Sequence, residues 1–282
     1  MAENVRDLVG RFGVWRSGSQ VTPELAVGLE RLGFGTLWLG GSPSGDLLQP
    51  SQLLDATTTL TVATGIVNIW QKDPHEVAAA FAGVRARHPG RFLLGVGVGH
   101  REAVQQYAKP YETLVHYVDV LRGDGVPAAS LVLAALGAKV LRLAAERAAG
   151  AHPYLVTAEY TRQARAILGA GPLLAPEHKV VLETDPDRAR AIGRARVRDP
   201  YLGLVNYTSN LRRLGWSDDD LSGGGSDALI DALVVHGDAA AITQGVTAHL
   251  DAGADHVAVQ VLNSDPLPAL RALAGQLELA RR

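Results

Sequence analysis

The sequence contains no cysteine among its 282 residues. This absence excludes disulfide bonds, thiolate nucleophiles and the cysteine-ligated zinc and iron–sulfur sites. A strong charge of one sign is also lacking: the formal net charge is −2, so we expect no nucleic-acid partner. No apolar run approaches the roughly 18 residues of a membrane-spanning helix, and the amino-terminal segment lacks the apolar core of a signal peptide. We therefore expect a cytoplasmic protein with no membrane partner.

The common catalytic motifs are missing as well. The 9 histidines form neither H-x-H nor H-E-x-x-H, so we expect no metal site. There is no G-x-S-x-G nucleophile elbow and no Walker loop. What remains is an ordinary globular composition, with 47% hydrophobic and 20% charged residues. These absences leave the order of strands and helices as the main source of information.

Eight short apolar segments alternate with helical patterns along the chain. They are Arg11–Trp15, Gly35–Gly41, Leu60–Trp70, Phe92–Val98, Ser130–Leu136, Pro153–Thr157, Lys179–Thr184 and His256–Leu262. Unbroken apolar strands are typical of a parallel sheet covered on both faces. Eight βα units in one chain predict an α/β protein with a TIM (β/α)8 barrel. We expect residues 1–282 to form one domain, with a helical insertion at about residues 200–254 after the seventh strand.

The fourth apolar segment runs into the glycines of "GVGVGH". Gly95, Gly97 and Gly99 are spaced G-x-G-x-G, whereas a dinucleotide fingerprint requires G-x-G-x-x-G, and here that last position is His100. Asp119 follows Gly99 at the spacing of the ribose-binding acid, but it lies in a helical pattern. The spacing therefore favours the end of a barrel strand, where glycines let a flat ring or a phosphate approach the backbone. A strand end determined only by packing is the alternative.

Several segments together resemble one known family. They are "LERLGFGTLWLGG", "VATGIVNIWQKDPHEVAAAFAGVRARHPGRFLLGVGVGH", "AALGAKVLRLAAERAAGAHPYLVTAEYTRQAR" and "DAGADHVAVQVL". In this order they resemble the luciferase-like monooxygenase superfamily, and most of all its branch of oxidoreductases that use the deazaflavin coenzyme F420. The resemblance implies the same TIM barrel, a homodimer, a small-molecule substrate and a long insertion after the seventh strand.

The resemblance also implies contacts to the ring of the cofactor. In this family the third strand often ends in a non-prolyl cis peptide that presses on the ring, and the matching bond here is Gly65–Ile66. Asn68 would hydrogen-bond the carbonyl edge of the ring, unless this segment is a buried strand with one polar end. Gly40 lies at the end of the second strand, near the place where some sugar-phosphate-oxidising relatives carry a catalytic histidine. This chain has glycines and Ser42 there, so we do not expect that substrate.

The end of the fourth strand completes the implied ring site. Gly97, Val98 and Gly99 match the residues that line the ring in the family. His100 matches a position where some relatives carry an acidic residue that assists proton transfer. A histidine with a pKa near 6.5 is suited to this role. The alternative for His100 is an exposed loop residue without a function.

Two helix starts are the predicted phosphate site. Leu136, Gly137 and Ala138 open the fifth helix, and Thr157 and Ala158 open the sixth. Helix amino termini present free N–H groups and the positive end of the helix dipole to an anion. Thr157 matches a phosphate-binding threonine of the family, although the lysine that often follows it is missing here.

These observations favour an F420-dependent oxidoreductase that transfers a hydride between the deazaflavin and a small organic substrate. Arginine outnumbers lysine 23 to 4, a bias typical of GC-rich genomes, and this composition favours F420 over FMN. The first alternative is an FMN-dependent monooxygenase, since FMN and F420 share a phosphate position. The second is a non-catalytic, ligand-binding barrel, because a histidine and a lysine of the family are missing.

Overall fold

The computed structural model describes residues 5–100 and 109–279. Strands and helices alternate along almost all of this length. The strands are β1 (Phe12–Ser17), β2 (Thr36–Gly40), β3 (Thr61–Gly65), β4 (Val67–Asn68), β5 (Phe92–Gly97), β6 (Leu131–Leu133), β7 (Gly150–Ala151), β8 (Leu173–Leu174), β9 (Glu177–Leu182), β10 (Val234–Gly237) and β11 (Val257–Val261). The helices are α1 (Val5–Val9), α2 (Pro23–Arg31), α3 (Leu48–Ala56), α4 (Pro74–Arg87), α5 (Pro110–Gly123), α6 (Ala138–Arg147), α7 (Ala158–Leu168), α8 (Pro186–Arg198), α9 (Val205–Arg213), α10 (Asp218–Leu221), α11 (Asp227–Leu233), α12 (Ala239–Asp251) and α13 (Leu267–Gln276).

The parallel strands form a closed ring. Their order is β10-β9-β11-β1-β2-β3-β5-β6-β7-β8, with β4 paired to β5. β8 and β9 are separated only by Ala175 and Pro176, so they are two halves of one bent segment. β8 pairs with β7 on one side and β9 pairs with β11 on the other, and the ring therefore closes through this segment. The predicted TIM-barrel fold is confirmed.

Two predicted elements differ from the structure. The sixth strand is β7 at Gly150–Ala151 rather than Pro153–Thr157, because the apolar run after it turns at Leu155, whose φ of 55° ends the extended path before α7. The segment predicted as a helical insertion, residues 200–254, contains α9, α10, α11 and α12, but also the strand β10. β10 pairs in parallel with the seventh-strand segment at β9.

Apolar side chains cover both faces of the ring. A large cluster lies between the outer face of the strands and helices such as α2, α4 and α7. A smaller cluster fills the interior and includes Trp15, Trp38, Ala63, Leu93 and Val132. Because both faces are buried, the strands are nearly continuous apolar runs. The carboxyl ends of the strands then lie together at one mouth, where barrel enzymes place their sites.

No helix within residues 5–100 and 109–279 is long and apolar enough to cross a membrane.

Candidate active site at the barrel mouth

A cavity of about 310 Å³ opens at the carboxyl ends of the strands. Aromatic, aliphatic and glycine residues form most of its wall. Of the residues that the sequence predicts for the site, those lining it are Gly65, Ile66, Val98, Gly99, His100, Leu136 and Gly137. The structure thus brings together three separate predicted strand ends, after β3, β5 and β6. The cavity shape and lining suit a planar organic group better than a fully solvated ion.

The third strand ends at the floor of this cavity. The Gly65–Ile66 peptide bond is cis, as predicted. A Cβ atom on Gly65 would lie 3.1 Å from both Trp15 Nε1 and His152 Nε2. Glycine at this position therefore leaves room next to two buried polar ring atoms.

Glycines at the next strand end serve packing as well as access. Gly99 has a φ of +60°, and a Cβ atom there would lie 2.7 Å from Asn68 Nδ2. Asn68 Oδ1 accepts a hydrogen bond from Trp70 N at 3.1 Å, and Asn68 does not line the cavity. The side chain of Asn68 therefore shapes the turn beneath Gly99. A Cβ atom on Gly97 would lie 2.8 Å from the Cβ of Ala134. Glycine is therefore needed at this position for packing, which is the alternative to a contact with the cofactor.

Gly40 has a similar packing role. A Cβ atom on this residue would lie 1.8 Å from Cζ2 of Trp15, so glycine admits the indole ring. Gly40 does not line the cavity, whereas its neighbours Gly41 and Ser42 do. The second strand therefore reaches the site through the residues just after Gly40.

The two predicted anion sites differ in the structure. Gly137 is the N-cap of α6, and no side chain caps this helix, so the first-turn amides that begin at Ala138 lack a side-chain acceptor beside the cavity. Thr157, by contrast, caps α7 with its own hydroxyl, which accepts a hydrogen bond from Tyr160 N at 3.2 Å. Neither Thr157 nor Ala158 lines the cavity. The start of α6 is therefore the better placed anion site.

His100 lies on the wall that faces the segment between α8 and β10. It is half-buried, and its ring centroid is 5.5 Å from that of Tyr207. Tyr207 packs against Tyr201 at 5.2 Å and Tyr154 at 6.3 Å, and all three tyrosines line the cavity. Burial raises the pKa of Tyr207 and Tyr154, so both phenols stay neutral. His100 is thus part of a partly enclosed wall.

His152 and Trp15 on the floor were not predicted as site residues. Nδ1 of His152 donates a hydrogen bond to Ala175 O at 2.7 Å, and its ring stacks on Trp38 at 4.0 Å. Burial lowers the pKa of His152 to about 4, so Nε2 carries a lone pair at neutral pH. Within the described parts of the chain, neither His152 Nε2 nor Trp15 Nε1 has a hydrogen-bond partner. Two buried polar atoms at the floor, one acceptor and one donor, are therefore left without a partner in the described chain.

A buried ion pair lies next to the floor. Lys179 Nζ is 3.0 Å from Glu177 Oε1, and both side chains have no exposed surface. The ammonium also lies 3.9 Å from the ring centroid of Tyr154. Tyr154 donates a hydrogen bond to Gln260 Oε1 at 2.9 Å. One feature of the sequence indicates this pair. Glu177 and Lys179 have opposite charges and are two residues apart on a strand, so their side chains lie on the same face.

Across residues 5–100 and 109–279, no three or more His, Cys, Asp or Glu side chains are arranged to hold a metal ion.

Residues 12–123 match the family model of the luciferase-like monooxygenases. The resemblance to this family is confirmed. The segment spans β1 to α5 and so includes the glycine-lined strand ends after β3 and β5. The sequence matches no curated protein at a significant level.

Solved structures share the fold along almost the whole chain. One is an F420-dependent secondary alcohol dehydrogenase in complex with an F420–acetone adduct, with 17% identity over 96% of this chain and 98% of that chain, at a TM-score of 0.72. Another is the coenzyme F420-dependent tetrahydromethanopterin reductase from Methanopyrus kandleri. Its identity is 15% over 96% of this chain and 99% of that chain, and the TM-score is 0.69. A third is the oxygenating constituent of 3,6-diketocamphane monooxygenase from Pseudomonas putida in complex with FMN. Its identity is 14% over 96% of this chain and 97% of that chain, and the TM-score is 0.68. The luciferase-like fold is thus shared with enzymes of both cofactor types.

Proposed function

We propose that the protein is an F420-dependent oxidoreductase that transfers a hydride between the deazaflavin and a small organic substrate. The observation that carries the proposal is the cavity at the barrel mouth. Glycines line one wall of this cavity, and the uncapped start of α6 forms part of another wall. The likeness to F420-dependent enzymes of the same fold supports it. The homodimer that the family resemblance implies stays a prediction.

The described residues fit a planar cofactor with a phosphate. Ile66 and the Val98–Gly99 backbone line the part of the cavity that would hold the ring. The amides at Gly137 and Ala138 would hold the phosphate, since no side chain caps that helix end. Trp15 Nε1 and His152 Nε2 are buried polar atoms without a partner in the described chain, and a heterocycle with both donors and acceptors would satisfy them.

The bound deazaflavin supplies the hydride chemistry, and the protein positions the reactants and handles the proton. Two histidines line the cavity, and they differ in burial. His152 stays neutral because burial lowers its pKa to about 4, so it acts as a hydrogen-bond acceptor. His100 is only half-buried, and we propose that it exchanges the proton with the substrate.

An FMN-dependent monooxygenase is the second candidate. The uncapped start of α6 favours it as much as F420, because both cofactors carry a phosphate at the matching position. The likeness to the FMN-containing diketocamphane monooxygenase also supports it.

Titration of the purified protein with F420 and with FMN separates the candidates, and quenching of tryptophan fluorescence is a suitable signal because Trp15 lines the cavity. We expect F420 to bind at least about tenfold more tightly than FMN, a difference of about 1.4 kcal/mol. Tight binding of FMN alone would support the monooxygenase. Binding of neither cofactor would contradict both proposals and favour the non-catalytic barrel.

The variant Gly137→Asp tests the phosphate site in the same titration. Gly137 has β-region angles, φ −94° and ψ 151°, and a Cβ atom there would meet no atom within 4 Å, so aspartate fits as an N-cap. The new carboxylate would accept the first-turn amides and repel a phosphate. We expect cofactor affinity to fall about ten- to a hundredfold, while the midpoint of thermal unfolding stays equal or rises.

Gly137→Asn is the matched control, because it caps the helix without a charge. We expect it to weaken cofactor binding less than Gly137→Asp does. Unchanged affinity in Gly137→Asp would place the phosphate elsewhere.

A further inference from the structure

A second cavity adjoins the first on the side of β1 and β11. Its volume is about 330 Å³, and its wall is mainly polar. The residues that line it are Trp15, Arg16, Ser17, Ser19, Gln20, Arg196, Gln260, Val261, Leu262, Asn263 and Ser264. Three of them, Trp15, Ser17 and Arg196, also line the first cavity. The two cavities are therefore adjacent compartments of one mouth.

The second cavity carries positive charge. Arg16 and Arg196 line it, and no Asp or Glu of the described residues does. Arg16 is half-buried, and its Nε is buried without a hydrogen-bond partner in the described chain. Burial lowers the pKa of Arg16, and only the carboxylate of Asp265 partly offsets this effect. A guanidinium that is partly desolvated and lacks an ion pair is an anion-binding group.

Arg196 differs from the other arginines of α8. Arg188 pairs with Glu183, Arg190 with Asp231, Arg194 with Asp227 and Arg198 with Asp199. Arg196, by contrast, forms no ion pair with any residue in 5–100 or 109–279, and its guanidinium lies 5.7 Å from the ring centroid of Tyr201. It is also the only one of the five arginines of α8 that lines both cavities. A cation left unneutralised at the junction of two cavities is available to a ligand.

The order of the strands separates this place from the proposed phosphate site. α6 follows β6, which is four strands away from β1 around the ring of eight. Arg16, near the end of β1, and the start of α6 therefore lie on opposite sides of the ring. A cofactor with its phosphate at α6 and its ring over Ile66 leaves the arginine side to the other reactant.

We propose that Arg16 and Arg196 form a subsite for an anionic group of the substrate, a carboxylate or a phosphate, whose organic body lies in the apolar cavity. The inference rests on the proposed function and specifies its substrate class, an organic anion. Arginine suits this role because its planar fork of donors matches both carboxylate and phosphate oxygens.

Binding of simple aryl anions tests the subsite in the purified protein, with and without F420. The probes are benzoate and phenyl phosphate, with benzyl alcohol as the neutral comparison, and isothermal titration calorimetry is the readout. We expect the anions to bind at least about tenfold more tightly than the alcohol. We expect Arg16→Gln and Arg196→Gln each to remove most of that difference, and Arg196→Lys to retain part of it.

Arg198→Gln is the matched control, because Arg198 lies on the same helix but outside both cavities. We expect it to leave anion binding unchanged. Equal binding of anions and alcohol, or equal losses in Arg198→Gln and Arg196→Gln, would overturn the subsite. If Arg196→Gln instead weakens F420 binding and F420 displaces the anions, the cofactor is the source of the anionic group and the substrate assignment is wrong. If neither cofactor binds but the anions still do, the proposed function fails while the anion site remains.

Discussion

The free energy of unfolding is expected to fall by several kcal/mol as the pH drops from about 6.5 to about 4. Four buried histidines cause this loss. Burial lowers the pKa of His152, His249 and His256 to about 4, and it also lowers the pKa of His178 well below its ordinary value. The folded protein keeps these rings neutral over most of this range, whereas the unfolded chain takes up protons below about pH 6.5, so acid favours unfolding. A pKa lowered from 6.5 to about 4 corresponds to about 3 kcal/mol for each histidine.

The hydrogen bonds around these rings support the neutral forms. His256 Nε2 accepts a hydrogen bond from Trp38 Nε1 at 3.0 Å, and its Nδ1 lies 2.8 Å from Gly10 O, so protonation of Nε2 would place two donors face to face. His249 Nε2 lies 2.9 Å from His178 Nδ1, and one of these two nitrogens must be the acceptor. Protonation of His256 would therefore cost a buried hydrogen bond.

Urea unfolding between about pH 7 and about pH 5 measures this loss. The matched control is His116→Gln, which removes an exposed histidine and should leave the pH dependence unchanged. His249→Gln should reduce the number of protons taken up on unfolding by about one. A free energy of unfolding that stays constant over this range would show that the buried rings are already charged in the folded protein.

Replacing Lys179 by methionine is expected to destabilise the fold by about 3–5 kcal/mol. The change leaves the carboxylate of Glu177 buried, with the hydrogen bond from Leu155 N at 3.1 Å as its remaining partner within the described chain. Burial lowers the pKa of Lys179 to about 8, so the ammonium is still protonated at neutral pH but bears a desolvation cost. Chemical denaturation of the variant at neutral pH measures the effect.

The double variant Glu177→Gln with Lys179→Met is the decisive comparison. Removing both charges leaves no uncompensated ion, so we expect it to regain most of the stability lost in Lys179→Met. Arg188→Gln is the control for a solvent-exposed pair, with Glu183, and should cost at most about 1 kcal/mol. If Lys179→Met costs no more than Arg188→Gln, the buried pair does not contribute to stability as described.

The fold and the ring side of the site were largely predictable from the sequence. The alternation of apolar strands with helices predicted the barrel, because a parallel sheet buried on both faces imposes that pattern. Gly65, Val98 and Gly99 follow strands whose ends could be located in the sequence, so their convergence at the mouth follows from the fold. The start of α6 was predicted in the same way.

The remaining site residues depend on tertiary contacts that sequence spacing does not determine. Gly40 was predicted to contact the cofactor, but it admits the ring of Trp15, which comes from the neighbouring strand β1. Thr157 and Asn68 carry suitable polar groups, yet each is used by a backbone N–H close by in the chain. His152 lies just after the short strand β7, which the sequence pattern placed a few residues too late.

We propose that the barrel mouth holds a planar cofactor with its phosphate at the start of α6. A crystal structure of the protein with bound F420 is the decisive measurement. We expect density for the ring against Ile66, Val98 and Gly99, and density for the phosphate within hydrogen-bond distance of the amides of Gly137 and Ala138. A phosphate at Arg16 and Arg196, or a ring outside this cavity, would contradict it.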